Sequence, residues 1–297
     1  MSDAAASLPH RPSMAVPVNE AALHLVDLAL DEDRGPGDWT TRWIVSARTR
    51  VSAAIVGKAD GVIAGIGIAS AVFLRLDPRT EFDVLVADGD RVIAGQAVLR
   101  IRGTGRAVLT GERVALNFLQ RLSGIATLTR RFVEAVAGTD ATILDTRKTT
   151  PGWRALEKAA VRAGGGENHR SGLFDMVLIK ENHIAVGGGI TAAVERVREH
   201  NVKRLPITIE VHTLDELDAA LAAQVDRVLL DNLDTATMRA IVKRVARLEP
   251  RPLLEASGNM SLDRVREVAE TGVDYISVGA LTHSAPALDL SLRIDQP

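Results

Sequence analysis

Between Asp145 and His183 the chain reads DTRKTTPGWRALEKAAVRAGGGENHRSGLFDMVLIKENH, placing Arg147, Lys148, His169, Arg170 and Lys180 at or beside the ends of short apolar runs. Arginine forks bind carboxylate and phosphate at two points, and lysine supplies a compact charge, so this mixture suits a ligand with several anionic groups. Farther along, Glu210 and Asp231 stand at or next to the ends of the runs ITIEV and RVLLD. Two hard oxygen donors at neighbouring strand ends suit a Mg2+ ion held mainly by substrate phosphates. The plainer alternative is that each acid pairs with a nearby cation. Ser257-Gly258-Asn259 and Ser277-Val278-Gly279-Ala280 follow the last two runs. Amides and hydroxyls there can cradle a phosphate, although a glycine after a strand is also an ordinary turn. Arg154, Lys158 and Arg162 read instead as a solvated helix face. Of the seven histidines, His169 reads as a ligand contact. His183 lies beside the same cationic ends with no role fixed, and the others read as surface or capping groups.

These residues need a scaffold that brings strand ends together. The runs ATILD, DMVLIK, ITIEV, RVLLD, PLLEA and DYISVG alternate with amphipathic stretches, the pattern of parallel strands joined by right-handed helical crossovers. About six such strands fall short of the eight of a complete barrel. In such sheets ligands lie at the carboxyl ends, where loops and helix N-termini converge. Upstream, Asn19 to Asp33 has helical spacing with Asn19 as cap. Next come VSAAIVGKADGVIAG, EFDVLVADGDRVIAG and QAVLRIRGTGRAVLTG, with an apolar stretch from Ile68 to Leu76 between the first two. They predict a small sheet with a helix on it. Thr110 to Val136 is helical in period but holds Ser123-Gly124, which predicts two helices or one bent helix where the lobes meet. The tail ALDLSLRI alternates like a strand that returns to the first sheet. The expected division is residues 1–125 and 126–297, with a frayed start over 1–15.

Composition narrows the partners. The formal net charge is -2 and there is no cysteine, which removes thiolate chemistry and gives no global reason to expect nucleic acid or an anionic membrane. No segment approaches a spanning helix, and the start lacks a signal-peptide core, so a cytoplasmic protein is expected. Aromatic residues make up 3% of the chain against 46% for all hydrophobic types, so the core must be mainly aliphatic, as suits parallel strands.

The long string from Asp145 to Ile184 closely resembles the signature of quinolinate phosphoribosyltransferases. The likeness continues through GERVALNFLQRLSGIAT before it and IEV, LLDN, EASGN and ISVGALTHS after it. What the resemblance implies is an N-terminal α/β sandwich domain followed by an open six-stranded α/β barrel, assembled as a homodimer or hexamer. The implied reaction joins quinolinate to phosphoribosyl pyrophosphate with loss of carbon dioxide, giving nicotinate mononucleotide for NAD synthesis with Mg2+ as cofactor. By the same resemblance Arg113 reaches into the neighbouring subunit's site, and Thr146, Arg147, His169, Arg170 and Lys180 bind quinolinate. Lys148 faces both reactants. Glu210 and Asp231 act around the ribose and the magnesium diphosphate, directly or through water. Ser257, Gly258, Asn259, Gly279 and Ala280 lie near the terminal phosphate. Lys148, Lys180, Glu210 and Asp231 are the expected catalytic groups.

Other readings stay open on the residues alone. Lys180 at a strand end could form a Schiff base with a keto substrate. A related phosphoribosyltransferase could take another heterocyclic acid, and a non-catalytic barrel could simply bind phosphate.

Overall fold

The computed structural model describes residues 15–295; the expected fraying of residues 1–15 lies, Ala15 apart, outside the described residues. Helix α1 (Glu20–Arg34) starts where Asn19 accepts a hydrogen bond from the Ala22 amide, the cap that the sequence spells out. After α2 (Trp39–Ile44), strands β1 (Arg50–Gly57) and β2 (Gly61–Val62) lead into α3 (Ile66–Leu76). Strands β3 (Glu81–Val84), β4 (Arg91–Val92) and β5 (Ala97–Thr104) follow. The first lobe is thus an antiparallel sheet carrying helices. The pairs β2 and β4 stand apart as a separate two-stranded sheet, because the Asp-Gly turns break the long β-rich runs into short pieces.

Helix α4 (Gly105–Ala135) corrects one expectation and narrows another. The stretch RAVLTG belongs to the helix and not to the preceding strand, and of the two arrangements expected around Ser123-Gly124 the single helix holds, since the pair neither splits nor ends it. Burial explains both outcomes. Ser123 is fully buried, donates to the Ala64 carbonyl and accepts from the Ala64 amide. A Cβ on Gly124 would stand 2.0 Å from the Pro286 carbonyl oxygen. The missing side chain lets the segment before the last strand pass against the helix, so close packing overrides local propensity.

The second lobe continues with β6 (Thr142–Leu144), α5 (Arg154–Ala163), β7 (Val177–Ile179), α6 (Glu181–Gly187) and α7 (Ile190–His200). It then alternates through β8 (Ile207–Val211), α8 (Leu214–Ala222), β9 (Arg227–Asp231), α9 (Thr235–Val245), β10 (Leu253–Ser257), α10 (Leu262–Ala269), β11 (Tyr275–Ser277) and α11 (Ala280–His283). The strands form one six-stranded sheet ordered β6-β11-β10-β9-β8-β7, and every pairing in it is parallel. Because β6 and β7 stand at its two edges, the barrel is open, as expected. The edge of β6 is covered by the chain around Glu167, whose amide donates to Ile143 O at 2.8 Å and whose carbonyl accepts from the Asp145 amide at 3.1 Å.

Strand β12 (Leu290–Ile294) leaves this lobe and pairs antiparallel with β1, giving the first lobe's sheet the order β12-β1-β5-β3. Helix α4 contacts α1 and α3 of one lobe and α5, α10 and α11 of the other. The apolar core is accordingly continuous, and residue 125 falls inside an unbroken helix.

Candidate active site

Parallel pairing puts all six strand ends on one rim, and a cavity of about 680 Å³ opens there. Its cationic wall comes from two segments far apart in sequence. Asp145, fully buried, receives Lys158 Nζ at 2.5 Å and the His169 amide at 2.8 Å on one oxygen, and Asn168 Nδ2 at 2.7 Å on the other. Lys158 also donates to the His169 carbonyl at 2.9 Å. Burial pushes the Asp145 carboxyl up and the Lys158 ammonium down, each opposed by the charge of the other. Lys158 is therefore no solvated helix residue: it is 4% exposed and ties the end of β6 to the segment bearing His169 and Arg170. The earlier reading failed because its face of α5 turns toward the barrel. Arg154 reaches back to Thr149 Oγ1 and Ser171 O and braces the same loop, whereas Arg162 stays exposed and binds Asn168.

Thr146, Arg147, Lys148, His169 and Arg170 line the cavity together. Thr282 Oγ1 donates to the Lys148 carbonyl at 2.7 Å and pins the loop from α11. The Arg170 guanidinium is buried and donates to Met176 O at 3.3 Å. Burial and then the neighbouring Arg147 charge hold its pKa below the ordinary arginine value, with Asp175 countering in part. Two cations facing one space, the deeper one desolvated, favour an anion between them.

His169 supplies less direct contact than its sequence position implies. Its Nδ1 accepts from the Arg170 amide at 2.7 Å, so the neutral ring carries its proton on Nε2, which lies 3.3 Å from Glu255 Oε1. Glu255 is fully buried and also receives Ser277 Oγ at 2.5 Å and Arg227 at 3.0 Å. Burial alone would push this carboxyl up. The His169 hydrogen bond, the Ser277 hydroxyl and the Arg227 charge outweigh it and hold it below the ordinary glutamate value. The Arg227 guanidinium sits 4.2 Å from the Tyr275 ring centroid, so a paired network spans β9, β10 and β11 beneath the cavity.

The acids line the same cavity. Glu210 is the penultimate residue of the buried β8 and pairs with Lys180 at the end of β7. Asp231 ends β9 and accepts from Asn232 Nδ2 at 2.8 Å. Beyond them Ser257, Gly258 and Asn259 line the rim from β10, and Gly279 and Ala280 from β11. Gly258 has φ +93°, and a Cβ there would lie 2.1 Å from Asn232 Oδ1, so only glycine lets this turn approach Asp231's neighbour.

Of the residues given a binding or catalytic role from sequence, Arg113 alone is not among those lining the cavity. It is exposed on α4, and its side chain has no partner among the described residues. His183 faces away from the cavity and caps α6, its Nδ1 accepting from the Lys180 amide at 3.0 Å. His212 and His283 line the cavity and were passed over. Both follow a strand end by a few residues, which is the signal that would have found them. Among the described residues no group of three or more His, Asp or Glu side chains has metal-holding geometry. Glu210 and Asp231, among the carboxylates that line the cavity, are oxygen donors that fit a hard cation brought mainly by a ligand's phosphates.

An open parallel barrel whose mouth gathers cations and acids around one cavity defines a transferase-type site for polyanionic reactants. The descriptions "Quinolinate phosphoribosyl transferase, N-terminal domain" and "C-terminal domain" match residues 38–123 and 125–293. A probable nicotinate-nucleotide pyrophosphorylase (carboxylating) of Synechocystis is 46% identical over 265 residues, covering 89% of this chain and 90% of that one. The Mycobacterium leprae nicotinate-nucleotide pyrophosphorylase (carboxylating) is 45% identical over 93% of this chain and 98% of its own. The solved structure of the Francisella tularensis nicotinate-nucleotide pyrophosphorylase superposes with a TM-score of 0.90 at 38% identity, covering 96% of this chain and all of that one. The chain belongs to the quinolinate phosphoribosyltransferase family.

Proposed function

We propose that this protein transfers the phosphoribosyl group of phosphoribosyl pyrophosphate to the ring nitrogen of quinolinate, releasing diphosphate and carbon dioxide and giving nicotinate mononucleotide. The observation that carries this reading is the placing of Arg147 beside buried Arg170 in one cavity that Glu210 and Asp231 also line. A dicarboxylate fits the first pair, held by Thr146, Arg147, His169, Arg170 and Lys180. The donor's ribose and diphosphate fit the second, with its terminal phosphate toward Ser257–Asn259, Gly279 and Ala280.

In the first step the pyridine nitrogen forms a bond to the anomeric carbon as the bond to the diphosphate oxygen breaks. Lys148 and Lys180 favour the charge leaving on diphosphate, while Glu210 and Asp231 favour the cationic character that develops on ribose. Holding two polyanions together in a fixed geometry supplies much of the remaining acceleration. In the second step the carboxylate beside the ribosylated nitrogen leaves as carbon dioxide. Its electron pair stays on the ring carbon, stabilised by the adjacent cationic nitrogen, and a proton then adds to that carbon. Mg2+ belongs to the same proposal: Glu210 and Asp231 would hold it, directly or through water, and it would supply neutralisation of the diphosphate charge. Lys180 is committed to Glu210 as an ion pair, which favours this reading over a Schiff-base lysine.

A second copy of the chain completes the site in this reading by contributing Arg113, whose exposed side chain has no partner among the described residues. Whether two or six copies associate is left to sedimentation. No helix among the described residues is long and apolar enough to cross a membrane, and a cytoplasmic location is proposed, to be checked by fractionation. The test of the reaction is product analysis with quinolinate and nicotinate offered separately. Mononucleotide formed from quinolinate supports it; formation from nicotinate alone would assign the site to another acceptor.

A further inference from the structure

The imidazole of His212 stands between the two acids of the cavity and bonds to neither. Its Nε2 lies 3.7 Å from Glu210 Oε1 and its Nδ1 3.8 Å from Asp231 Oδ2. Both separations exceed a hydrogen bond, yet a shift of roughly an ångström would close either. Nε2 is buried and has no hydrogen-bond partner among the described residues. A polar atom left in that state is costly, and its presence here needs a reason.

The residue is held from behind. Its amide donates to Glu216 Oε2 at 2.7 Å, and Glu216 forms a capping box with Thr213 at the start of α8. The backbone is thus fixed by a helix N-terminus while the ring projects to the cavity wall. Each acid is also drawn elsewhere: Lys180 takes Glu210 Oε2, and Asn232 takes Asp231 Oδ2 at 2.8 Å. With each acid anchored on its far side by those donors, the ring occupies the space that separates the two carboxylates.

We infer that His212 is a positioning residue for the phosphoribosyl half of the cavity, a wedge that keeps Glu210 and Asp231 apart and aimed at the ribose and diphosphate of the donor. The inference rests on the proposed function. The neutral ring has one donor and one acceptor nitrogen, so a bound ribose hydroxyl or a water it retains would satisfy the orphaned Nε2. Quinolinate, held by Arg147 and Arg170 across the cavity, does not feel the change.

The experiment compares wild type, His212→Ala and His212→Gln for the KM of each substrate, with calorimetric titration of phosphoribosyl pyrophosphate into the free proteins and thermal melts as a folding control. His212→Ala is expected to raise the KM for phosphoribosyl pyrophosphate about tenfold, to weaken its calorimetric binding in parallel, and to leave the KM for quinolinate within about twofold. His212→Gln, which keeps a donor and an acceptor, should recover most of the loss. An unchanged donor KM in His212→Ala overturns the inference. So does a parallel rise in both KM values that glutamine fails to rescue, the outcome of a purely structural role. Wild type without turnover would sink the functional reading and this inference with it; active wild type with a silent His212→Ala sinks the inference alone.

Discussion

At the scale of single residues, charge placement decides function. Arg147→Ala or Lys180→Ala should lower kcat/KM by about 2–5 kcal/mol of transition-state stabilisation, the range for truncating one partner of a charge pair that a bound reactant desolvates. Near-normal turnover in steady-state assays of either variant would remove that residue from the site. Lys158→Ala tests a different claim, since it leaves the Asp145 carboxyl buried without its cation. A loss of about 3–5 kcal/mol is expected in denaturant unfolding, whereas a solvated lysine would cost almost nothing. Glu255 gives a pH prediction. Its folded pKa lies below the ordinary value of 4.5, so the folded state binds its proton less readily than the unfolded chain. Its contribution is full above that ordinary value and disappears as pH falls through the lower, folded one. Glu255→Gln should therefore flatten the acid limb of a melting-temperature profile, and an unaltered limb would argue against the paired network. Most of these groups were legible because strand ends in a parallel sheet are also binding positions. Lys158 was not, because helical periodicity alone does not tell which polar residue of α5 turns inward to meet an acid thirteen positions away.

Elements explain how the groups are held. The six strands were readable from apolar runs, but only pairing order reveals that β6 and β7 are the free edges, and that Glu167 covers one of them. The long helix α4 was misread at its start and left open between one helix and two at its middle, since Gly105 and Gly124 argue locally against helix while tertiary contact demands small residues there. Gly258→Ala is the informative change at this scale. A methyl group would collide with Asn232 beside Asp231 and would strain a backbone at positive φ. The expected result is a higher KM for phosphoribosyl pyrophosphate with little change for quinolinate, read from initial rates; equal effects on both would contradict a local role for this turn.

For the whole molecule, the two lobes share one core through α4 and one sheet through β12, so Arg113 is rigidly presented even though it lies outside its own chain's cavity. If a neighbouring copy uses it, an equimolar mixture of Arg113→Ala and Arg147→Ala chains, each nearly inactive alone, should regain about a quarter of wild-type activity, because half of randomly paired dimers hold one intact site. Absence of complementation after subunit exchange would confine the site to one chain. Nothing in a single sequence could reveal this surface from periodicity, since Arg113 reads as an ordinary exposed helix position. The central claim, two anionic reactants brought together in one cavity so that ring ribosylation permits decarboxylation, is tested most directly with quinolinate labelled in the carboxylate beside the nitrogen. Labelled carbon dioxide should appear only when phosphoribosyl pyrophosphate and Mg2+ are both present, in equal amount to diphosphate; release without the phosphoribosyl donor, or none with the complete mixture, would contradict the account.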